Sequence, residues 1–299
     1  MKLKQAIRTE VKLRIGLSGA SGFGKTYSAL LLAFGMTNNW SKIAVIDTEN
    51  SSANLYAHLG DFSVLELQEP YSPERYIEAI KTCENASVEV IIIDSISHEW
   101  NGTGGCLEIH DKMGGRFQDW AKLGQRHQVF LNAILRSDCH IITTTRRKTD
   151  YSMDVGNNGK TKVVKHGTKE ITREGYEYEL TLNFELINSQ HLAIPSKDRT
   201  GLFVDKPEFL INSSTGRKLI DWCQSSSLRK EATLEVNSCT TLEGLRHIYT
   251  KYTAIREFIY PLIVKKKAEL ENVTKQIITE DKIINNGNIT SNKPEQSNH

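Results

Sequence analysis

The sequence predicts an α/β fold: a mostly parallel sheet flanked by helices, with an antiparallel hairpin on its C-terminal side and a small helical appendage beyond. Three observations predict it. Apolar runs of strand length alternate with helix-length stretches from residue 11 to residue 145, the pattern of parallel strands joined by right-handed crossovers. The run at 88–95 is nearly continuous in β-branched residues and ends in Asp94-Ser95, as expected of a strand covered on both faces. Residues 176–194 instead alternate apolar with polar around Asn188-Ser189-Gln190, which reads as a half-buried antiparallel hairpin.

Taken in order, residues 11–18 carry apolar side chains at alternating positions and form the first strand. Gly19-Ala20-Ser21-Gly22-Phe23-Gly24-Lys25-Thr26 follows and fits the phosphate-loop pattern G-x-x-x-x-G-K-[ST] at every fixed position. Strong helix formers fill 27–34, so the loop lies between a strand end and a helix start. Residues 42–47 and 62–67 supply the second and third strands, and Ser72-Pro73 opens a helix with serine as cap and proline in the first turn. After the strand at 88–95, the glycine-rich stretch 98–115 is expected as a loop, 117–135 as a long amphipathic helix, and 139–145 as another strand. Residues 146–173 read as a basic loop, with eight Lys and Arg against three acids, net +5, around the turn signal Gly156-Asn157-Asn158-Gly159. One strand is expected over 176–186, its hairpin partner over 191–194, and a closing helix over 216–223. Ser225-Ser226-Ser227 reads as a linker and Thr240-Thr241-Leu242-Glu243 as a capping box. The expected organisation is a core domain over 1–225, a helical segment over 226–283 and a disordered tail over 284–299, rich in Asn, Ser and Gln.

Composition narrows the function classes. The chain has 299 residues, 38% hydrophobic and 25% charged, as a globular protein with a sizeable core has. A net charge of +2 confines any nucleic-acid surface to a local patch. The five cysteines include no C-x-x-C pair, so reduced thiols in a cytosolic compartment are expected rather than a disulfide framework. No H-x-x-x-H or Cys/His spacing announces a structural metal, no apolar run is long enough for a membrane span, and no signal-peptide segment follows the basic start.

The chemistry of the phosphate loop explains its residue types. Glycines let successive backbone N–H groups turn inward on triphosphate oxygens, and the helix start adds a favourable field. Lys25 supplies a point charge to the β and γ phosphates, and Thr26 offers a hydroxyl to Mg²⁺. Asp94, ending the buried run, suits the second role at the metal, so Thr26 and Asp94 are the expected Mg²⁺ residues and ATP the expected ligand. Glu49, just past the second strand, is the candidate base, with Asp47 and Glu99 as competitors. Lys197 and Arg199 lie two apart in an extended segment and share a side, either as a finger for the γ-phosphate of a neighbouring subunit or as a solvated edge. In the basic stretch, Arg147, Lys148, Lys160, Lys162 and Lys165 suit the phosphates of single-stranded DNA, and Tyr151 suits stacking on a base.

These residues resemble the RecA-like P-loop ATPase core, over roughly 11–223. The loop from Gly19 to Thr26, the strand-end acid in Val45-Ile46-Asp47-Thr48-Glu49 and the segment Ile91-Ile92-Ile93-Asp94-Ser95 are similar to that family's phosphate loop, catalytic glutamate and Walker B positions. Lys197-Asp198-Arg199 is similar to the lysine-x-arginine finger of DnaB-type helicases and KaiC-type ATPases. More narrowly, the layout resembles phage AAA-type ATPases, including the RecA-core Sak group of single-strand annealing proteins. The resemblance implies ATP hydrolysis, action on single-stranded DNA in phage recombination, annealing or repair, and a homo-oligomeric ring or filament. It also implies a single-strand-binding protein as a further partner and the cytoplasm of a bacterial host cell as the location. Two other readings use the same motifs: a ring-forming helicase-type motor, and an assembly scaffold gated by nucleotide with negligible turnover.

Overall fold

The computed structural model describes residues 3, 8, 11–155 and 161–287; at 149–155, 161–167, 226, 254 and 273–287 it describes the backbone alone. The turn signal at 156–159, Lys160 and residues 288–299 of the expected tail lie outside the described residues, as do the side chains of Tyr151, Lys162 and Lys165.

The described strands are β1 (Arg14–Gly19), β2 (Ile43–Asp47), β3 (Ser63–Glu66), β4 (Val90–Asp94), β5 (His140–Val155), β6 (Thr161–Glu170), β7 (Leu182–Leu186), β8 (Leu192–Asp198) and β9 (Phe209–Leu210). They form one sheet in the order β3-β2-β4-β5-β1-β7-β8-β9, with β6 paired to β5. The first six in that order are parallel, and β8 and β9 are added antiparallel. The register brings Val64, Val45, Ile92, Ile142, Ile15 and Leu182 into one apolar row across the six strands. All six therefore end on one edge, which is where ligands of such sheets sit.

The helices are α1 (Lys25–Thr37), α2 (Pro73–Asn85), α3 (Ser97–Asn101), α4 (Cys106–Lys112), α5 (Asp119–Arg136), α6 (Tyr176–Glu179), α7 (Ser213–Ser238), α8 (Leu242–Lys251) and α9 (Arg256–Gly287). Tyr76 and Ile80 of α2 and Phe130 and Ile134 of α5 pack on Ile46, Ile91, Ile93 and Ile141. Burying a side chain of this size contributes about 1.5–3 kcal/mol, which is why short helices with weak intrinsic stability hold their places. Burial of every residue of β1 leaves Arg14 without water; its guanidinium donates instead to the carbonyls of Cys139 (2.7 Å), Ser137 (2.6 Å) and Leu135 (3.0 Å). Burial pulls that group down to about 10.

Val11–Ile220 form one compact unit. The described parts of Met1–Glu10 and Asp221–His299 form a second, whose core is Ala232, Val236, Leu245, Ile248, Tyr252 and Ile259. Among the described residues no helix is long and apolar enough to cross a membrane.

Several expected elements differ. The glycines of 98–115 separate helices rather than abolish them: α3 and α4 occupy most of the expected loop. The basic loop is a two-stranded ribbon, β5 running on past Thr145 and pairing with β6 from Arg147↔Glu170 to Val155↔Thr161. Its charges hide a strand-forming background of Thr, Val and Tyr. Strand character over 176–186 begins only at Leu182, because Gly175 turns the chain at φ 91° into α6 and buries Tyr176. The expected linker Ser225-Ser226-Ser227 lies inside α7, where the Ser225 and Ser227 hydroxyls donate to the carbonyls of Trp222 and Gln224. Thr241 rather than Thr240 caps α8, accepting from the Gly244 N–H at 3.0 Å. Residues 284–287, expected as disordered, continue α9.

Candidate functional site

The site is built on the C-terminal edge of the parallel strands. β1 delivers the phosphate loop there; Gly22 (φ 78°) and Gly24 (φ 86°) take left-handed conformations that a side chain would strain, and Gly24 caps α1. The first N–H groups of the 13-residue α1 thus face the loop. The Lys25 ammonium donates to the carbonyls of Gly19 (3.0 Å) and Ala20 (2.9 Å). Burial draws its proton affinity below that of an ordinary lysine, against the opposing fields of Asp94 and Glu49.

β4 ends at Asp94, which is buried. The Thr26 hydroxyl donates to its Oδ2 at 2.5 Å, and the Thr144 hydroxyl donates to its Oδ1. Burial pushes the Asp94 carboxyl up, and those two hydrogen bonds pull it back. The close Thr26–Asp94 pair is a hard-oxygen donor set suited to Mg²⁺.

β2 delivers Glu49. Its Oε1 accepts from the Ser95 hydroxyl (3.0 Å) and from Arg146 Nε (2.8 Å), and Arg146 Nη2 reaches Oε2 to complete a two-point ion pair. Burial raises the Glu49 carboxyl, but the Arg146 guanidinium outweighs it, so the group lies below the usual glutamate range. Glu49, Lys25, Thr26, Asp94 and Arg146 line one cavity of about 670 Å³, together with Ser21, Gly22, Gly24, Tyr27, Tyr56 and His191.

The two competing acids sit elsewhere. Asp47 is buried and accepts from the backbone N–H of Glu49 (2.6 Å) and Ala53 (2.7 Å), which fixes the turn that presents Glu49. Glu99 is buried against His127 Nδ1 (2.9 Å) and the Cys106 thiol (3.1 Å). The fold thus assembles a Glu99, Cys106 and His127 trio of metal-ligand types that no sequence spacing announced.

Ala20 and Phe23 lie on the loop itself, joined by the Phe23 N–H to Ala20 carbonyl bond of 3.4 Å. Lys197 and Arg199 do not line the phosphate-loop cavity. Lys197 Nζ donates to the carbonyls of Glu177 and Tyr178 (both 2.6 Å), and Arg199 Nη2 donates to that of Tyr178 (2.8 Å). Arg147 turns inward to Glu185 (2.9 Å), Ser18 (3.3 Å) and Thr168 (2.9 Å), whereas Lys148 is exposed. Sequence reading missed Arg146, Ser95 and His191. Arg146 and Glu49 stand 97 positions apart, and only the parallel register brings them together.

A phosphate loop on β1, a buried strand-end acid bonded to its threonine and a glutamate at the same cavity define a RecA-like P-loop ATPase core. The family described as an AAA domain matches residues 11–200, more than half of the chain, and the chain belongs to that family and is an ATPase. No curated protein matches it. Among solved structures it is similar to a prototypical ATPase from the type III secretion system of pathogenic bacteria, at 12% identity over 88% of this chain and 83% of that one, with a TM-score of 0.37.

Proposed function

We propose that the chain hydrolyses ATP to ADP and phosphate with Glu49 as base, and that turnover serves work on single-stranded DNA in phage recombination, annealing or repair. The observation that carries this reading is the position of Arg146: it grips Glu49 at the cavity and stands at the root of the basic β5–β6 ribbon. A strand that contacts the ribbon at Lys148 therefore acts two residues from the group that holds the base.

In this reading the loop N–H groups and Lys25 bind the β and γ phosphates. Thr26 and Asp94 would hold Mg²⁺, which when bound neutralises phosphate charge. Glu49 orients a water molecule and takes its proton, while Asp47 and Ser95 keep the carboxylate facing the phosphates. Lys197 and Arg199 serve a neighbouring subunit, because they sit outside their own chain's phosphate cavity. The working form is then a homo-oligomer in the cytoplasm of a bacterial host cell, with a single-strand-binding protein as a further partner. Lys148, Lys160, Lys162, Lys165 and Tyr151 serve DNA contact; Arg147, spent on Glu185 and Ser18, serves to anchor the ribbon.

The test is ATP turnover with and without oligo-dT, beside a strand-displacement assay. Stimulation by oligo-dT without displacement is expected. Turnover blind to DNA would overturn the DNA reading; displacement would make the chain a helicase-type motor, and negligible turnover in both conditions would leave the scaffold.

A further inference from the structure

We propose that the cleft between α3, α5 and the root of the β5–β6 ribbon is a nucleobase-stacking subsite for single-stranded nucleic acid, with Trp100 and Trp120 as its platform. The inference rests on the single-stranded DNA reading above and names the place where a base is held. The cleft encloses about 590 Å³ and lies apart from the phosphate-loop cavity, with which it shares only Ile171.

Three observations carry it. The first is an aromatic stack that ends at the cleft. His110 lies on Trp120 with ring centroids 4.0 Å apart and planes at 21°, and Trp120 lies beside Trp100 at 5.9 Å and 23°. Both indoles are half-buried and both line the cleft, so packing fixes their orientation while part of each residue stays exposed. A rigid, preoriented π-face binds a flat ring at low entropic cost. The second is charge. The facing wall, from β5, β6 and the segment after it, brings Lys148, Lys169 and Arg173 against Glu170 and Glu174, with Lys169 paired to Glu174. Cations beside an aromatic floor match a base that carries its phosphate with it. The third is position. Of the cleft residues, Lys148 lies two past Arg146, and Ile171 is the backbone partner of Arg146: the Ile171 N–H donates to the Arg146 carbonyl at 2.8 Å. The cleft and the Glu49 clamp thus share one rung of the ribbon.

The occupant is an unpaired base rather than duplex, because a paired base hides both faces in its own stack and cannot reach a floor inside a cleft. Stacking reads no particular sequence, since every base has a π-face.

The experiment measures binding of the full chain to oligo-dT and to the same oligonucleotide made abasic, over a range of salt. Wild type is expected to favour oligo-dT over the abasic strand. Trp100→Ala and Trp120→Ala should each weaken oligo-dT binding roughly 5- to 150-fold, the loss of one stacked base, without changing the slope of log K against log salt. Trp100→Phe should recover most of the affinity. Lys148→Ala should instead lower the slope by about 0.7. If wild type binds abasic and oligo-dT strands alike, the stacking subsite is overturned while the DNA reading stands, and this comparison needs no variant to fold. If wild type binds neither strand, the DNA reading falls and takes the subsite with it.

Discussion

Glu49 is held by contacts of two kinds, and they act in opposite directions on its proton. Burial alone would raise the carboxyl and keep it protonated, while the two-point Arg146 pair and the Ser95 hydroxyl favour the ionised form and win. If Glu49 is the base, it must be ionised before it takes a proton from water, so turnover in the wild type should persist as pH falls into the ordinary glutamate range. Arg146→Ala leaves burial unopposed by its guanidinium, and the acid limb of kcat should move to higher pH. A pH–rate profile checks this; an unmoved limb would mean that Glu49 is not the titrating base. Asp94, raised by burial, is the neighbour whose own titration would add to the same limb, and the Arg146 variant separates the two because the Arg146 guanidinium bonds Glu49, whereas Asp94 is bonded by Thr26 and Thr144. At this scale the phosphate loop and Asp94 were legible in sequence, since a fixed local spacing carries their chemistry. Arg146 was not, because its meaning depends on a partner delivered by another strand.

The β5–β6 ribbon and the α2–α5 pair show what elements add. The ribbon's charge disguised it as a loop; strand pairing by Thr and Val decides the backbone, and the charges decorate it. Replacing Lys160, Lys162 and Lys165 with Gln should flatten the salt dependence of single-stranded DNA binding by about 0.7 per lost phosphate contact, and an unchanged slope would place the strand elsewhere, with Lys265, Lys266 and Lys267 the next basic cluster. On the opposite side of the accounting stands a surface ion pair. Arg126 grips Glu74 through Nε (2.7 Å) and Nη2 (2.8 Å), joining α5 to α2 and holding the Glu74 carboxyl down to about 2. Both side chains are more than a third exposed, so Arg126→Ala should cost less than about 1 kcal/mol at neutral pH. Because the folded value is depressed, that contribution is complete above the ordinary glutamate value and is lost as pH falls toward about 2; urea unfolding of wild type and variant at several pH values would show the difference closing on acidification. The alternation of strands and helices was legible because period and β-branching are local. The short helices α3 and α4 were not, since five- and seven-residue helices among glycines are stabilised by what they pack on.

Over the whole molecule, parallel strand ends gather Gly19, Asp47, Asp94 and Thr145 on one edge, while the β7–β8 hairpin carries Lys197 and Arg199 away from their own chain's phosphate cavity. If those cations serve a neighbour, Arg199→Ala should bind ATP and hydrolyse it about 10³–10⁵-fold more slowly. Mixing it with Lys25→Ala should then restore turnover, because one subunit offers an intact phosphate loop and the other an intact arginine; no recovery in proven mixed assemblies would make the hairpin structural. The catalytic assignment itself is decided by ATP turnover of the whole chain carrying Glu49→Gln, measured beside ATP binding and beside Glu99→Gln. Full ATP binding with turnover lowered roughly 10²–10⁴-fold in Glu49→Gln, and turnover retained in any folded Glu99→Gln protein, is the predicted result. Normal turnover in Glu49→Gln would contradict it.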